Sequence, residues 1–357
     1  MRKYFSHIRL IICYALCVFF LFYSFFGVLT FNHNFKPTFT DIFSENSENE
    51  PLKPTNFQEN TQSEQKNTSS EAKKEVSSNT SSKKQNSSIT AGTQAIKGKV
   101  VTRYISPYKA PSSYNNVYLK NNTGTSIDIK SLLNKNLNIK ITKNSSPQVL
   151  IMHTHTTETF MEKDEKYYTE DFNSRSRDNT KNMAKIGDII AQKLNKNGIK
   201  TIHDKTQHDY PEYTGSYGRA AKTIEYYLKK YPSIKIVLDL HRDAVSTDDG
   251  KAKLVTKIGG KNAAQVMLVM GSQTGGITGH PNWKENLSLA IKLQQTMEAK
   301  YPTLARPLML ASKKYNQNLS KGSLLIEFGT DVNTLDEACY SAELVGDSLV
   351  SLLNTLK

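Results

Sequence analysis

Three separated stretches of the chain end apolar runs in groups that bind metals or move protons. Residues 149–158 read Val-Leu-Ile-Met-His-Thr-His-Thr-Thr-Glu, residues 234–243 read Ile-Lys-Ile-Val-Leu-Asp-Leu-His-Arg-Asp, and residues 323–329 read Ser-Leu-Leu-Ile-Glu-Phe-Gly. A buried strand that leaves the core and presents ligands at its tip has this pattern. Imidazole and carboxylate donors suit zinc, which in a catalytic site takes three protein ligands and keeps a fourth position for water. Zinc lowers the pKa of that water to about 7, and a nearby carboxylate can pass its proton to a leaving amine. The residue types therefore point to metal-assisted hydrolysis. His155, His241 and a carboxylate would hold one zinc ion, with Glu327 beside it.

Each candidate has a rival reading. His155 is preferred as the ligand to His153, which can instead point into the sheet or bond a backbone carbonyl. Glu158 and Asp178 compete for the third position; otherwise Glu158 caps a turn and Asp178 a helix. Glu327 lies in an apolar strand, where a carboxylate without a partner is costly. Asp239 and Asp243 flank His241 and could orient its ring. Arg242 suits a substrate carboxylate, or else pairs with Asp243. His203, His208 and His280 carry no ligand pattern, and Cys339 has no nucleophile signature. The glycines at 271–276 are not followed by Lys-Ser or Lys-Thr, so they make no phosphate loop.

The elements that must position these groups begin at residue 148. Apolar runs alternate with amphipathic helices. The first helix is capped by Asp178 or Asn179, carries Met183, Ile186, Ile190 and Leu194, and stops at Gly198. Others carry Ala221, Ile224 and Leu228; Leu287, Ile291 and Met297; and Ala338, Ala342, Val345 and Leu349. The alternation predicts an α/β fold, a mainly parallel sheet with helices on both faces. Ligands of such sheets bind outside the carboxyl ends of the strands, and His155, His241 and Glu327 each fall at or just past such an end.

The first quarter of the 357 residues differs in composition. Residues 10–31 are apolar and uncharged after Arg2, Lys3 and Arg9, and about 20 such residues span a bilayer. Residues 1–31 are thus expected to be a transmembrane anchor with the rest outside the cytoplasm; a cleaved signal peptide is the competing reading. Residues 32–96, polar and poor in aliphatics, are expected to form a disordered tether with a reach of about 40–50 Å. Residues 97–147 would extend the catalytic domain, with strands near 117–119, 127–129 and 137–141, and residues 148–357 would form its α/β body. Cys339 stands alone beyond the apolar span, which excludes an intramolecular disulfide there. Most of the formal +14 charge lies beyond residue 96, where the net is +12. An exported basic domain is drawn to anionic wall polymers or headgroups, and nucleic acid is not expected as a partner.

Five stretches together carry a family resemblance. They are His-Thr-His-Thr-Thr-Glu at 153–158, His-Asp-Lys-Thr-Gln-His-Asp-Tyr-Pro at 203–211, Asp-Leu-His-Arg-Asp-Ala at 239–244, Tyr-Asn-Gln-Asn-Leu-Ser at 315–320 and Leu-Leu-Ile-Glu-Phe-Gly at 324–329. With them the chain resembles the stage II sporulation protein P family of spore-forming Firmicutes, which looks like a branch of the zinc-dependent N-acetylmuramoyl-L-alanine amidases. The resemblance implies that His155 and His241 are zinc ligands and that Glu327 is catalytic. The middle glutamate of the broader amidases stands just before the first long helix, where this chain has Arg177-Asp178; Glu158 is the choice here. The resemblance also implies peptidoglycan as substrate, endopeptidase activity on stem-peptide cross-links, and work at the septum during engulfment beside the lytic transglycosylase called stage II sporulation protein D. The alternative from another class is a non-catalytic basic wall-binding module that recruits other hydrolases.

Overall fold

The computed structural model describes residues 95–356. The anchor expected at 1–31 lies outside the described residues, as does the tether expected at 32–96 except its last two residues, of which Ile96 opens a strand. Among the described residues no helix is long and apolar enough to cross a membrane.

The elements, in order, are β1 (Ile96–Arg103), β2 (Ser112–Tyr114), β3 (Val117–Asn121), α1 (Ile129–Asn134), β4 (Val149–Met152), β5 (Tyr167–Thr169), α2 (Met183–Lys196), β6 (Thr201–His203) and α3 (Ser216–Lys230). There follow β7 (Ile236–Asp243), β8 (Ser246–Thr247), β9 (Gly250–Ile258), β10 (Lys261–Ala264), β11 (Val266–Gly271), α4 (Trp283–Lys300), β12 (Leu308–Ala311), β13 (Ser323–Thr330) and α5 (Leu335–Leu353). Among the described residues, eight strands form one sheet in the order β2-β3-β12-β11-β13-β7-β4-β6. A smaller sheet runs β10-β9-β1-β5, with β8 paired to β9.

The expectation of a mainly parallel sheet is corrected: both sheets are mixed. In the large one β11 runs antiparallel to β13, and β2 antiparallel to β3. In the small one β9 pairs antiparallel with β8 and β10 but parallel with β1. The reason lies in the connections. A helix crossing over a sheet returns the chain parallel, whereas between β7 and β11 the chain passes through the β8–β10 excursion, and no helix intervenes. Apolar runs report burial on both faces and do not report direction.

The pleat sorts the strands' side chains into two layers. Val149 and Ile151 of β4, Ile236, Leu238 and Leu240 of β7, and Leu324, Ile326 and Phe328 of β13 join one core with α2, α4 and α5. Leu150, Met152 and Val237 face the other way, against Ala220 and Ile224 of α3. Helices thus cover both faces.

Helix ends follow local chemistry. Asn182, not Asp178 or Asn179, caps α2 by accepting from Ala184 N, and Gly198 takes φ 77° just past its end. Thr334 and Glu337 form a capping box at α5. The strand expected at 127–129 is instead the entry to α1, capped by Asp128. Residues 137–141 bury Leu137, Ile139 and Ile141 without forming a strand. Alternation there records one-sided burial alone.

Candidate active site

Strand register places the chemistry. Glu327 on β13 is the direct neighbour of His241 on β7, and Asp239 on β7 is the neighbour of Met152 on β4. Asp239 and His241 share the pleat side of Val237, and Glu327 lies opposite in sense to Leu324, Ile326 and Phe328. All three therefore lie on the face that α3 covers. Glu327 is three residues short of its strand's end, so the group sits against the sheet face and not only beyond its rim.

His155 arrives from the turn after β4, and the threonines of that turn hold it in place. Thr154 donates from N and Oγ1 to Asp239 at 2.8 and 2.7 Å. Thr156 Oγ1 donates to the carbonyl of Thr206, and Thr157 Oγ1 donates to Asp209 Oδ2 at 2.7 Å. Arg175 Nη1 reaches the same Asp209 oxygen at 2.5 Å, and its guanidinium lies 4.6 Å above the Tyr213 ring. Tyr213 in turn stacks on His155 with centroids 4.5 Å apart, its hydroxyl 3.1 Å from His155 Nε2. Tyr217 meets His155 edge-on at 5.6 Å, and His241 does so at 5.2 Å. Burial, helped by His241 and Arg175, pushes the His155 imidazole far down, so it is neutral.

His241 lies between carboxylates. Asp239 Oδ1 is 2.8 Å from its Nε2, an ionic contact too oblique to satisfy that nitrogen as a hydrogen bond. Glu158 Oε2 is 3.7 Å from its Nδ1 and also accepts from the Arg242 backbone N at 3.2 Å. Burial opposes charge on His241, yet Asp239, Glu158 and Glu327 together raise the ring above its ordinary value. Burial pushes the Glu327 carboxyl above the usual carboxylate range; His241 and Arg306 pull it down, while Asp243 and Glu158 add to the rise. Its Oε2 is buried without a hydrogen-bond partner among the described residues.

The structure thus brings together His155, Glu158, His241 and Glu327, with Asp239 behind His241. It does not bring in the rivals. His153 turns away, bonding the Leu240 carbonyl through Nδ1 at 3.0 Å and His203 through Nε2 at 2.9 Å. Asp178 is exposed and accepts from Thr180. Asp243 pairs with Arg306 at 2.9 Å. The Arg242 guanidinium is buried and donates to the main-chain carbonyls of Thr159, Ser174 and Asp243. His208 bonds the His153 carbonyl and Thr223. Of the supports, Asp209 falls in the stretch 203–211 quoted above, Tyr213 and Tyr217 had no signal beyond a loop rich in tyrosine and glycine at 209–218, and Arg175 had none.

Among the described residues no three His, Cys, Asp or Glu side chains stand in a closed metal-binding arrangement. The donor set nevertheless fits a divalent cation in kind. Glu158, Asp239 and Glu327 crowd around one imidazole, and Glu327 Oε2 is buried with no partner among the described residues, a place a cation would satisfy. Asp239 beside a histidine nitrogen is the partner that metal-ligating histidines usually have.

The model of the stage II sporulation protein P family matches residues 28–349. The chain belongs to that family. Stage II sporulation protein P of Bacillus subtilis (strain 168) is 28% identical over 219 residues, which cover 58% of this chain and 51% of the relative. The chain therefore spans about half the length of the curated relative it matches. Among solved structures, the N-acetylmuramyl-L-alanine amidase Ami1 of Mycobacterium abscessus (apo form) aligns with a TM-score of 0.35 and 12% identity over 59% of this chain and 99% of that one. The N-acetylmuramoyl-L-alanine amidase of Clostridium difficile 630 gives 0.34 and 15% over 60% and 100%. The CwlD amidase of Clostridioides difficile, in complex with the GerS lipoprotein, gives 0.37 and 10% over 58% and 98%. At these scores the likeness is too slight to bear on the site.

Proposed function

We propose that this chain is a peptidoglycan hydrolase of sporulation that cleaves the amide between N-acetylmuramic acid and L-alanine, and stem-peptide cross-links as a second activity. One observation carries the reading: the register that sets Glu327 beside His241, on the face where His155 and Glu158 converge, with Glu327 Oε2 buried and without a partner among the described residues. An unpaired buried carboxylate costs about 1–3 kcal/mol or more, and such a cost is typical of a working group.

His155, Glu158 and His241 would hold zinc. Zinc bound there supplies Lewis acidity toward the amide carbonyl and water. The chain's own residues do the rest. Asp239 fixes the His241 ring, and the Arg175–Tyr213 stack fixes His155. Glu327, ionised when a cation sits beside it, takes a proton at Oε2 and returns it to the leaving nitrogen. An anchor at 1–31 would place the domain outside the cytoplasm, in the septal space, where the sporulation lytic transglycosylase is the expected partner.

The test is digestion of purified sacculi by the full-length chain. Wild type should release stem peptides with new amino termini, and Glu327→Gln should lose at least about 100-fold of that rate, the scale of general acid–base catalysis. Undiminished release by Glu327→Gln removes the residue from the chemistry. Binding without new amino groups would favour the wall-binding module.

A further inference from the structure

The stretch 315–320 marks the family resemblance, yet neither zinc nor proton transfer uses it. The structure shows what it does. Tyr315 and Asn316 are successive non-glycine residues in the left-handed region, at φ 50° and 55°. Such conformations cost on the order of 1–3 kcal/mol each and persist only where the surroundings enforce them. Here they are enforced from both sides. Asn316 Nδ2 donates to the Tyr217 carbonyl at 2.8 Å, tying the turn to α3. Gln317 is buried, accepts from Gly271 N and donates to the Val269 carbonyl, both at 2.8 Å, while Asn286 grips its carbonyl.

The strained turn delivers the Tyr315 ring to the candidate site. The ring lies 6.4 Å from Tyr217, which itself meets His155. Burial and then Glu327 raise the phenol, so it stays a hydrogen-bond donor. Among the described residues its hydroxyl has no hydrogen-bond partner. Of the other donors around the site, Arg242 is taken by carbonyls, Arg175 by Asp209 and Tyr213 by His155, while the Tyr217 hydroxyl and Arg306 Nε and Nη2 have no partner among the described residues. Acceptors are in excess, with Glu158, Asp239 and Glu327 all present. A donor aimed at the carbonyl oxygen, where negative charge develops, would add to the Lewis acidity that zinc would supply.

We propose that Tyr315 donates its phenolic hydrogen bond to the carbonyl oxygen of the scissile amide, which makes it a catalytic residue contacting substrate; this rests on the hydrolase reading above. The Tyr315→Phe variant of the full-length chain removes only the hydroxyl. On sacculi its kcat should fall about 100-fold, the low end for loss of one such donor, with KM, zinc content and melting temperature unchanged. The Asn316→Gly variant keeps the left-handed backbone without strain but releases the tie to α3. It should fold at least as stably as wild type and still lose about 10-fold in kcat. Full activity of Tyr315→Phe beside an active wild type overturns this proposal alone. So does a loss confined to KM or to zinc content. A wild type that releases no stem peptides overturns the hydrolase reading and this one with it.

Discussion

Replacing Asp239 by Asn tests the scaffold of the site without changing its shape. Asp239 is buried, accepts two bonds from Thr154 and lies 2.8 Å from His241 Nε2. The asparagine oxygen can still accept from Thr154 N, and the Thr154 hydroxyl can rotate to accept from the new amide. What disappears is the negative charge facing the imidazole, which together with burial of that ring decides its state. Breaking a buried pair by removing one partner costs about 3–5 kcal/mol. Retained geometry puts this case near the lower end, about 3 kcal/mol. For a domain of this size that corresponds to a melting temperature lower by roughly 6–12 °C. Urea unfolding should show a lower midpoint at unchanged slope. Loss of the ring's orienting partner should also weaken zinc binding about 10- to 100-fold. Thr154→Ala, which leaves the charge in place, should cost only about 1 kcal/mol. Stability within about 0.5 kcal/mol of wild type, the range of an ordinary surface change, together with unaltered zinc affinity, would refute the reasoning.

Three further predictions concern stability away from the reacting atoms. Burial, with His203, lowers His153 to about 3, and burial, with Lys314, lowers His280 to about 4. Between these values and the unfolded value of about 6.5 the unfolded chain binds more protons, so stability falls as pH drops through that window. His153 alone should contribute a loss on the order of 3 kcal/mol by pH 4, followed by thermal melts from pH 7 downward. Among the described residues both ring nitrogens of His280 are buried without partners, so His280→Leu should leave stability at pH 7 equal or higher and flatten the acid slope. Melts that are level from pH 7 to 4 would contradict this account. Gly329 sits at φ 60°, and a Cβ there would lie 2.6 Å from Asn333 Oδ1 and 2.8 Å from the Ala264 Cβ. Gly329→Ala should therefore cost about 2 kcal/mol or more, read as a lower urea midpoint.

Much of the fold was legible in local pattern. The final helix Leu335–Leu353 follows from its apolar spacing, and β4, β7 and β13 from runs too apolar to be anything but buried. The donor types were legible too, because His, Glu and Asp at the ends of such runs are costly unless used. Strand direction was not. A period of two tells which residues share a face, but the antiparallel entry of β11 depends on the β8–β10 excursion, whose pairing is non-local.

Between residues of one type local pattern could rank but not decide, since the choice among them is a matter of distance. His153 and His155 stand two apart, and only the turn pinned by Thr154 and Thr157 sends one toward His241 and the other toward His203. Asp239 and Asp243 flank one histidine, and only the register with β4 and the position of Arg306 give the first to His241 and take the second away. Tyr315 reaches the site through a backbone conformation that no propensity favours, held by bonds to α3, α4 and β11. Composition and periodicity decide which groups exist and which are buried. Which of them meet is decided by contacts between segments tens to hundreds of residues apart, and those come into being only with the packed tertiary structure.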